Sequence, residues 1–350
     1  MTEMARKKAK AVRVLLQEAE PVRRYLRDRH LLREDLNIVK DETYLYLPVT
    51  VVPSEVDSST VVTRLFEMKA SKPSCYKDLV KIPQSLRDAL PTSYDVVGDI
   101  ILLKLPKVLL SYQNQIGEAL LGTHPHIRTV CAITAVSGEL RTREVSIIAG
   151  EQRTLTTHTE YGLSFDVDVA ETYFSPRLAS ERRRVASQVR PGETVVDMFA
   201  GVAPFSIMIA RYANPRIVYA IDKNSLAVKL AKQNVKKNHV LERVEVICAD
   251  SADVRTVVPV FADRIIMNLP FSAFRFFPVA LSIAANTCSI HYYDILREEE
   301  IHARIDALRT IAQEQSFGLT DISTHKIKSY TPREFYIGID ITATKRADVA

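Results

Sequence analysis

Three aspartates follow apolar runs in the C-terminal half of the chain, where they could bind the hydroxyl groups of a ribose. The stretch VVDMFAGVAPFS (195–206) predicts a strand, a tight turn and a helix, with Asp197 where the strand ends and Gly201 in the turn. Twenty-one residues beyond Gly201, the run RIVYAID ends in Asp222, and the run VEVICAD ends in Asp250. A carboxylate in the second of these positions can accept hydrogen bonds from both ribose hydroxyls.

The turn after the first of these strands favours a cofactor that has no phosphate groups. A dinucleotide fingerprint has three glycines, which let backbone amides approach a pyrophosphate, whereas this turn has only Gly201. Acidic residues at the ends of three consecutive strands therefore favour S-adenosylmethionine, and the single glycine of the turn argues against a dehydrogenase. For any one aspartate, a plain turn-forming role is the alternative.

The elements that must position these residues alternate between strand and helix from about residue 175 onward. This alternation predicts a parallel sheet with right-handed crossovers. The last two apolar runs, ISTHKIKSYTP and FYIGIDITAT, predict a hairpin that adds an antiparallel edge. Residues 75–170 predict one helix and several strands, among them the run DVVGDIILLKL (95–105) as one strand, without that alternation. This pattern indicates a mixed α/β domain.

The N-terminal residues predict a small, basic α/β module. Apolar spacing predicts a helix over residues 12–19, interrupted at Pro21, then a second helix over 22–32 and a strand over 43–52. Residues 1–33 contain ten Lys or Arg and four Asp or Glu, a net charge of +6 in a chain whose total is +5. This imbalance favours attachment to a polyanion, with a solvated helix face as the alternative.

The composition excludes several classes of protein. No run reaches the ~20 apolar residues of a membrane helix, and the opening MTEMARKKAKAVR has no apolar core of a secretory signal. Four scattered cysteines without a CxxC pair argue against a zinc cluster or a disulfide framework, and they favour a reducing cytoplasm. His124 and His126 are expected in a loop and not in a metal site.

Four motifs in order give the chain a family resemblance: YFSPRLASERRRVA, DMFAGVAPFSI, AIDKNSLAVKLAKQN and DRIIMNLP. Together they resemble the archaeal and eukaryotic tRNA (guanine-37-N1)-methyltransferases. The resemblance extends upstream through residues 138–150, and it reaches residues 22–49, which are similar to the family's small tRNA-docking domain.

The fold class that follows is α/β, with a class I (Rossmann-like) methyltransferase sheet, a mixed α/β middle domain and a small N-terminal α/β domain. The expected segments are a basic tRNA-docking domain (1–55), a linker with a short ordered middle (56–74), an RNA-binding domain (75–170) and the S-adenosylmethionine-dependent methyltransferase domain (171–350).

Methylation of guanine N1 requires a base, because this nitrogen carries a proton at neutral pH. The resemblance implies that Glu181 is the base, and we expect partial burial to raise its pKa. It implies that Arg141 supports charge on O6, although Arg143 fits the same role. The Asn268 amide suits a guanine edge, and Pro270 would shape the turn beside it.

The resemblance also places Tyr173 and Arg182 in the wall of the cofactor and guanine pocket, although Tyr173 could be core and Arg182 could pair with a carboxylate. The family usually has glycine where this chain has Ala203. Its methyl group either narrows the cofactor pocket or is tolerated because the backbone there is not left-handed. The residues expected to bind the cofactor are Tyr173, Arg182, Asp197, Phe199, Gly201, Asp222, Lys223, Asp250, Ser251, Asn268 and Pro270.

The resemblance thus implies methyl transfer from S-adenosylmethionine to N1 of guanine 37 of tRNA. It implies a cytoplasmic monomer that contacts the anticodon stem-loop and the outer corner of tRNA, without a metal or a membrane. The alternatives are an aminocarboxypropyl or methyl transferase of the wybutosine pathway, and a non-catalytic RNA-binding relative. Asn268 favours methyl transfer, and Ala203 favours the non-catalytic alternative.

Overall fold

The chain divides into two compact units, Met1–Leu79 and Val80–Ala350. The two arginines considered for the support of O6, Arg141 and Arg143, lie outside the residues that the structure describes. The structure is a computed structural model, and it describes residues 6–53, 57, 60–68, 75–133 and 144–346.

The first unit is a small antiparallel sheet with strand order β2-β3-β1-β4 and one helix. The helix predicted over residues 12–19 is wrong, because residues up to Leu15 belong to the central strand β1. Ala11 and Val12 of this strand are buried in different apolar clusters, so a period of two prevails over helical spacing. Its elements are β1 (Arg6–Leu15), α1 (Ala19–Asp28), β2 (Val39–Lys40), β3 (Tyr44–Pro48) and β4 (Val61–Glu67).

The segment expected to be a linker, residues 56–74, contains strand β4. Val61–Glu67 pairs antiparallel with β1, and Phe66 is fully buried in the cluster beneath the sheet. The ordered middle of the predicted linker is therefore part of the first unit. Pro21 also differs from expectation, because it lies in the first turn of α1, where its missing N–H has no partner to lose.

The first part of the second unit is a mixed α/β arrangement, as expected. The run DVVGDIILLKL, predicted as one strand, is a tight hairpin that turns at Gly98, where φ is +56° and a Cβ would lie 2.5 Å from the Thr157 carbonyl oxygen. Strand β9 was not predicted, because LTTHTE has no apolar alternation. The elements are β5 (Asp95–Val97), β6 (Ile100–Leu103), α2 (Gln113–Thr123), β7 (Thr129–Ile133), β8 (Val145–Gly150), β9 (Leu155–Glu160) and β10 (Leu163–Asp168).

The remainder of the second unit confirms the predicted Rossmann-like sheet. Its strand order is β13-β12-β11-β14-β15-β17-β16, parallel from β13 to β15, with the predicted antiparallel hairpin of β16 and β17 at the edge. Val195 and Val196 are buried in the clusters on opposite faces, so helices cover both sides. The elements are α3 (Ala179–Gln188), β11 (Thr194–Asp197), α4 (Pro204–Tyr212), β12 (Ile217–Asp222), α5 (Ser225–Lys237), β13 (Val244–Cys248), α6 (Val254–Val257), β14 (Ala262–Met267), α7 (Ala273–Ser282), β15 (Ala284–Leu296), α8 (Ile301–Glu314), β16 (Phe317–Ser329) and β17 (Phe335–Lys345).

This topology brings the carboxyl ends of β11 to β14 to one edge of the sheet. That edge is where open α/β sheets bind their ligands. In the part of the chain that the structure describes, no helix has the length and apolar character needed to span a bilayer.

Candidate active site

A cavity lies at the carboxyl edge of the sheet, and most of the predicted cofactor residues form its wall. The loops after β11, β12, β13 and β14 each contribute to it, because parallel strands end at the same edge. The segment leading into α3 and the start of α7 complete the wall. The predicted residues that line this cavity are Tyr173, Arg182, Phe199, Gly201, Asp222, Lys223, Asp250, Ser251 and Asn268.

Asp222 holds the turn after β11 in place. Its Oδ2 accepts a hydrogen bond from the Gly201 amide at 2.7 Å, and its Oδ1 accepts one from the Asn224 amide at 2.9 Å. Burial raises the pKa of Asp222, although both amides favour the ionised form. Each carboxylate oxygen can accept a further hydrogen bond, so the side chain can hold the turn and bind ribose hydroxyls together.

Asp197 does not line the cavity, and this differs from the expected direct contact with a cofactor. Its side chain is buried, and the Ser206 hydroxyl in the first turn of α4 donates to its Oδ2 at 2.8 Å. Burial raises the pKa of Asp197 to about 7. The carboxyl group therefore lies beneath the turn, where it links β11 to α4.

The third strand end contributes Asp250 and Ser251. Asp250 accepts a hydrogen bond from the Ala252 amide at 2.9 Å, and its Oδ2 lies 4.0 Å from the Lys223 ammonium nitrogen. The buried Ser251 hydroxyl donates to the Met198 carbonyl oxygen and so ties this loop to the turn after β11. The loops that form the wall thus hold one another in place.

The residues of this wall fit S-adenosylmethionine. Carboxylates suit the ribose hydroxyls and the positive charge of a sulfonium, and the ring of Phe199, in edge contact with Phe276 at 5.0 Å, offers apolar surface for adenine. Gly201 has a φ of +55°, and a Cβ there would meet only the Tyr173 carbonyl oxygen, at 3.5 Å. Glycine therefore adopts this left-handed turn without strain and leaves space beside it.

Arg182 both lines the cavity and pairs with a carboxylate. Its guanidinium donates to both oxygens of Glu160 on β9 at 2.6 Å and to the Ser175 carbonyl oxygen at 3.2 Å. Arg182 and Glu160 are both buried, and such a forked pair fixes orientation as well as charge. Glu160 was not predicted, because β9 itself was not.

Glu181 has a pKa opposite to the one expected. Burial acts to raise this pKa, but hydrogen bonds from Arg184, His325 and Tyr293 outweigh it and lower the value to about 2. Arg184 donates to both carboxylate oxygens, at 2.7 and 2.8 Å, and the Tyr293 hydroxyl donates at 2.7 Å. The side chain is buried and is not among those that line the cavity.

A chain of buried and half-buried polar side chains continues from Arg184, the partner of Glu181. Arg184 also donates to both oxygens of Asp340, at 2.6 and 3.2 Å, and Asp340 accepts from His291 Nδ1 at 2.7 Å. Arg264 donates to His291 Nε2 at 2.7 Å and pairs with Glu193 at 2.8 Å. Burial lowers the pKa of His291, which fits a neutral ring with one donating and one accepting nitrogen.

A second cavity of about 430 Å³ adjoins the first, and Tyr173 lines both. Pro270 lies in the second wall, so Asn268 and Pro270 of the NLP turn face neighbouring cavities. The Tyr336 hydroxyl donates to Asn268 Oδ1 and thereby orients the amide. Tyr336 was not predicted, because it lies 68 residues from Asn268 in sequence.

Ala203 has a left-handed backbone, with a φ of +64°, and its methyl group is buried outside the cavity wall. The methyl group therefore does not narrow the cofactor pocket. The expectation that the backbone there is not left-handed is wrong, so Ala203 adopts a strained conformation. Left-handed backbone costs a residue with a Cβ about 1–2 kcal/mol, and this strain explains why glycine suits the position.

Replacing Ala203 with glycine is expected to stabilise the protein by up to about 1 kcal/mol. The release of strain, about 1–2 kcal/mol, outweighs the loss of one buried methyl group, about 0.8 kcal/mol. Thermal unfolding should show a Tm higher by roughly 2 °C, with unchanged affinity for S-adenosylmethionine. Ala186→Gly, in the helical interior of α3, is the control and should lower the Tm. A lower Tm for Ala203→Gly would contradict the strain argument.

A cavity with acidic strand ends, at the carboxyl edge of a Rossmann-like sheet, defines a class I S-adenosylmethionine-dependent methyltransferase site. Comparison with known families matches three segments of the chain. Residues 156–320 match the TRM5/TYW2 methyltransferase domain, residues 77–154 match the TYW2 N-terminal domain, and residues 11–57 match the tRNA methyltransferase 5 N-terminal domain. The chain belongs to the TRM5/TYW2 methyltransferase family.

Known relatives resemble the chain over most of its length. It is 38% identical to the tRNA (guanine(37)-N(1))-methyltransferase Trm5b of Pyrococcus abyssi, over 94% of this chain and 98% of the relative. The solved complex of aTrm5 with tRNALeu has a TM-score of 0.76 and 33% identity, over 95% of this chain and 99% of that one. A tRNA(Phe) (4-demethylwyosine(37)-C(7)) aminocarboxypropyltransferase of Pyrococcus horikoshii is 32% identical, over 76% of this chain and 94% of the relative.

Proposed function

We propose that this chain transfers the methyl group of S-adenosylmethionine to N1 of guanine 37 in tRNA. The observation that carries this proposal is a pair of adjoining cavities that share Tyr173. One has carboxylates suited to a ribose and a sulfonium, and the other has aromatic and basic side chains suited to an extruded base. Near full-length similarity to a guanine-37 methyltransferase supports the same reaction.

The chain's own residues must remove the N1 proton and hold the guanine in line. The bound cofactor supplies an electrophilic methyl group on sulfonium. Glu181 is the proposed base, but a carboxylate with a pKa of about 2 is a weak one. Entry of the guanine must therefore replace at least one of the hydrogen bonds from Arg184, Tyr293 or His325, so that Glu181 becomes basic enough to accept the proton.

Asn268 is proposed to hold the guanine edge through its amide nitrogen. Tyr336 donates to Oδ1, so Nδ2 is the end of the amide turned to another acceptor. Guanine O6 is such an acceptor, whereas adenine carries an amino group at that position. This arrangement favours guanine over adenine, and Arg141 or Arg143 is proposed to add a positive charge beside the same oxygen.

The partner is tRNA, and the first unit is proposed to contact its outer corner while the second holds the anticodon stem-loop. Exposed basic side chains on β1 and α1 support this, among them Lys7, Lys8, Lys10, Arg24 and Arg27. Phosphate contacts make binding depend on salt, so reversing Arg24 and Arg27 to glutamate should weaken tRNA binding and flatten its salt dependence. An unchanged salt dependence would show that this surface does not contact tRNA.

The protein is further proposed to act as a cytoplasmic monomer.

Aminocarboxypropyl transfer is the second candidate, because a relative with that name matches 76% of the chain. Asn268 in the NLP turn favours methyl transfer over this reaction. The two reactions attach groups of different mass to the same nucleotide, so mass spectrometry of the product nucleoside separates them.

The proposed function is tested with an unmodified tRNA transcript and labelled S-adenosylmethionine. We expect methyl transfer to guanine at the target position, transfer at a reduced rate to inosine, which keeps N1–H and O6, and no transfer to adenine. Transfer to adenine, or a protein that binds the cofactor and tRNA without transfer to guanine, would overturn the proposal.

A further inference from the structure

We propose that Phe271 and Tyr330 form a stacking subsite for the unpaired nucleobase that adjoins the target guanine in tRNA. This inference rests on the proposed function, and it adds a contact to a nucleotide that is not itself modified. Both aromatic residues lie in the wall of the second cavity. The reacting guanine would lie deeper, between the NLP turn and Tyr173.

The two rings are exposed although they contact each other. Phe271 is 59% exposed and Tyr330 is 45% exposed, and their ring centroids lie 5.4 Å apart at an interplanar angle of 72°. In this edge-to-face arrangement, one ring face remains open to a planar ligand. A pair of adjoining exposed aromatics beside a catalytic cavity is suited to a base that has left the helical stack.

The backbone of Phe271 gives a second, independent observation. Its φ is +72°, a left-handed conformation that a bulky aromatic residue rarely adopts and that costs stability. The Phe271 amide donates to Asp294 Oδ1 at 3.3 Å, a bond that any residue except proline could make at this turn. Glycine would satisfy the turn without strain, so the turn itself does not explain the ring. A ligand that stacks on the ring explains why phenylalanine occupies this position.

The charge around the rings indicates nucleic acid as the ligand. Lys104, Arg177 and Lys328 line the same cavity, and Arg177 pairs with Asp95 at its edge. Cations beside exposed aromatic faces are the arrangement with which proteins bind single-stranded nucleic acid, because the cations attract phosphates while the rings stack on bases. A protein partner of apolar character would not need this set of cations.

Extrusion of the target guanine supplies a reason for the subsite. When one base leaves the anticodon loop, its neighbour loses a stacking partner, and this loss opposes extrusion. A ring that stacks on the neighbour replaces the lost contact. The subsite should therefore affect tRNA binding and the productive placement of guanine, with no effect on the affinity for S-adenosylmethionine.

Phe271→Gly tests the proposal, because it removes the ring and relieves the left-handed strain together. We expect an equal or higher Tm and an unchanged cofactor affinity, with a KM for tRNA raised about 10-fold or more. A ring with only a structural role would instead lower the Tm. Phe271→Trp keeps an aromatic face and should restore most of the affinity. Phe261→Ala, which removes another exposed phenylalanine at 56% exposure outside both cavities, is the matched control and should leave KM unchanged.

A direct readout uses tRNA that carries 2-aminopurine at either neighbour of the target guanine. Stacking on an aromatic ring quenches this base, so one of the two probes should fluoresce less in its complex with the wild-type protein than in its complex with Phe271→Gly. Equal probe fluorescence in both complexes, or a wild-type KM for tRNA in Phe271→Gly, would overturn the proposed stacking subsite. If the wild-type protein transfers no methyl group to tRNA, the proposed function fails. If the wild type transfers the methyl group and Phe271→Gly keeps its KM for tRNA, only the subsite is refuted.

Discussion

Replacing Glu181 with glutamine is expected to lower the turnover number of methyl transfer by about 10²–10⁴-fold, the usual contribution of a general base. Glutamine keeps the shape of the side chain and can still accept from Arg184 or Tyr293, but it cannot take the N1 proton. Because the side chain is buried outside the cofactor cavity, affinity for S-adenosylmethionine should not change. Single-turnover kinetics with saturating tRNA measures the chemical step, and calorimetry measures the affinity.

Glu193→Gln is the matched control for this variant. Glu193 is also a carboxylate paired with an arginine, Arg264, at 2.8 Å, but it lies at the far end of the chain of buried and half-buried polar side chains. Both variants weaken one ion pair, so both should lose some thermal stability, and only Glu181→Gln should lose turnover. Normal turnover in Glu181→Gln, or an equal loss in both variants, would remove Glu181 from the role of base.

The pKa of Glu181 also predicts how acid affects the fold. Because its folded pKa is lowered to about 2, its hydrogen bonds stabilise the protein above the pKa of an ordinary glutamate, 4.5. That contribution is lost as the pH falls from there toward 2. The carboxylate therefore stays ionised in the free protein at every working pH. A pH profile of kcat/KM, which reports the groups of the free enzyme, should therefore show no loss in mild acid that follows its titration.

The C-terminal sheet could be predicted from sequence, because apolar runs there alternate with segments of helical spacing. Asp222 and Asp250 could be placed for the same reason, since each ends such a run. Strand β1 could not be predicted, because the apolar residues of VRVLL fit the spacing of a helix as well as the alternation of a strand. Pairing with β4 decides that it is a strand, and the paired residues, from Val12 with Val61 to Arg6 with Glu67, are far apart in sequence.

The surroundings of the proposed base could be predicted only in part. Arg184 follows Glu181 by three residues on α3, so helical spacing alone places their side chains together. Tyr293 and His325 lie 112 and 144 residues away, and they reach Glu181 only through the packing of α3 against the sheet. Burial alone predicts a raised pKa, and the hydrogen bonds from Arg184 and from these two distant donors together reverse it.

Replacing Asp222 with alanine is expected to weaken the binding of S-adenosylmethionine by about 100-fold or more. A hydrogen bond to a charged group contributes about 1.5–3 kcal/mol, and this carboxylate is placed to accept from two ribose hydroxyls. The variant also leaves the amides of Gly201 and Asn224 without their acceptor, so the turn loses its preorganised shape. Isothermal titration calorimetry with S-adenosylmethionine measures the loss directly.

Two controls separate loss of the ligand contact from loss of the fold. Asp253→Ala removes an exposed aspartate close to the same edge of the sheet that does not line the cavity, and it should leave the affinity unchanged. Asp222→Asn keeps one acceptor oxygen for an amide of the turn, so it should bind more tightly than Asp222→Ala and more weakly than the wild type. An affinity for S-adenosylmethionine in Asp222→Ala equal to that of the wild type would place the cofactor elsewhere, because a ribose in this cavity lies within reach of that carboxylate.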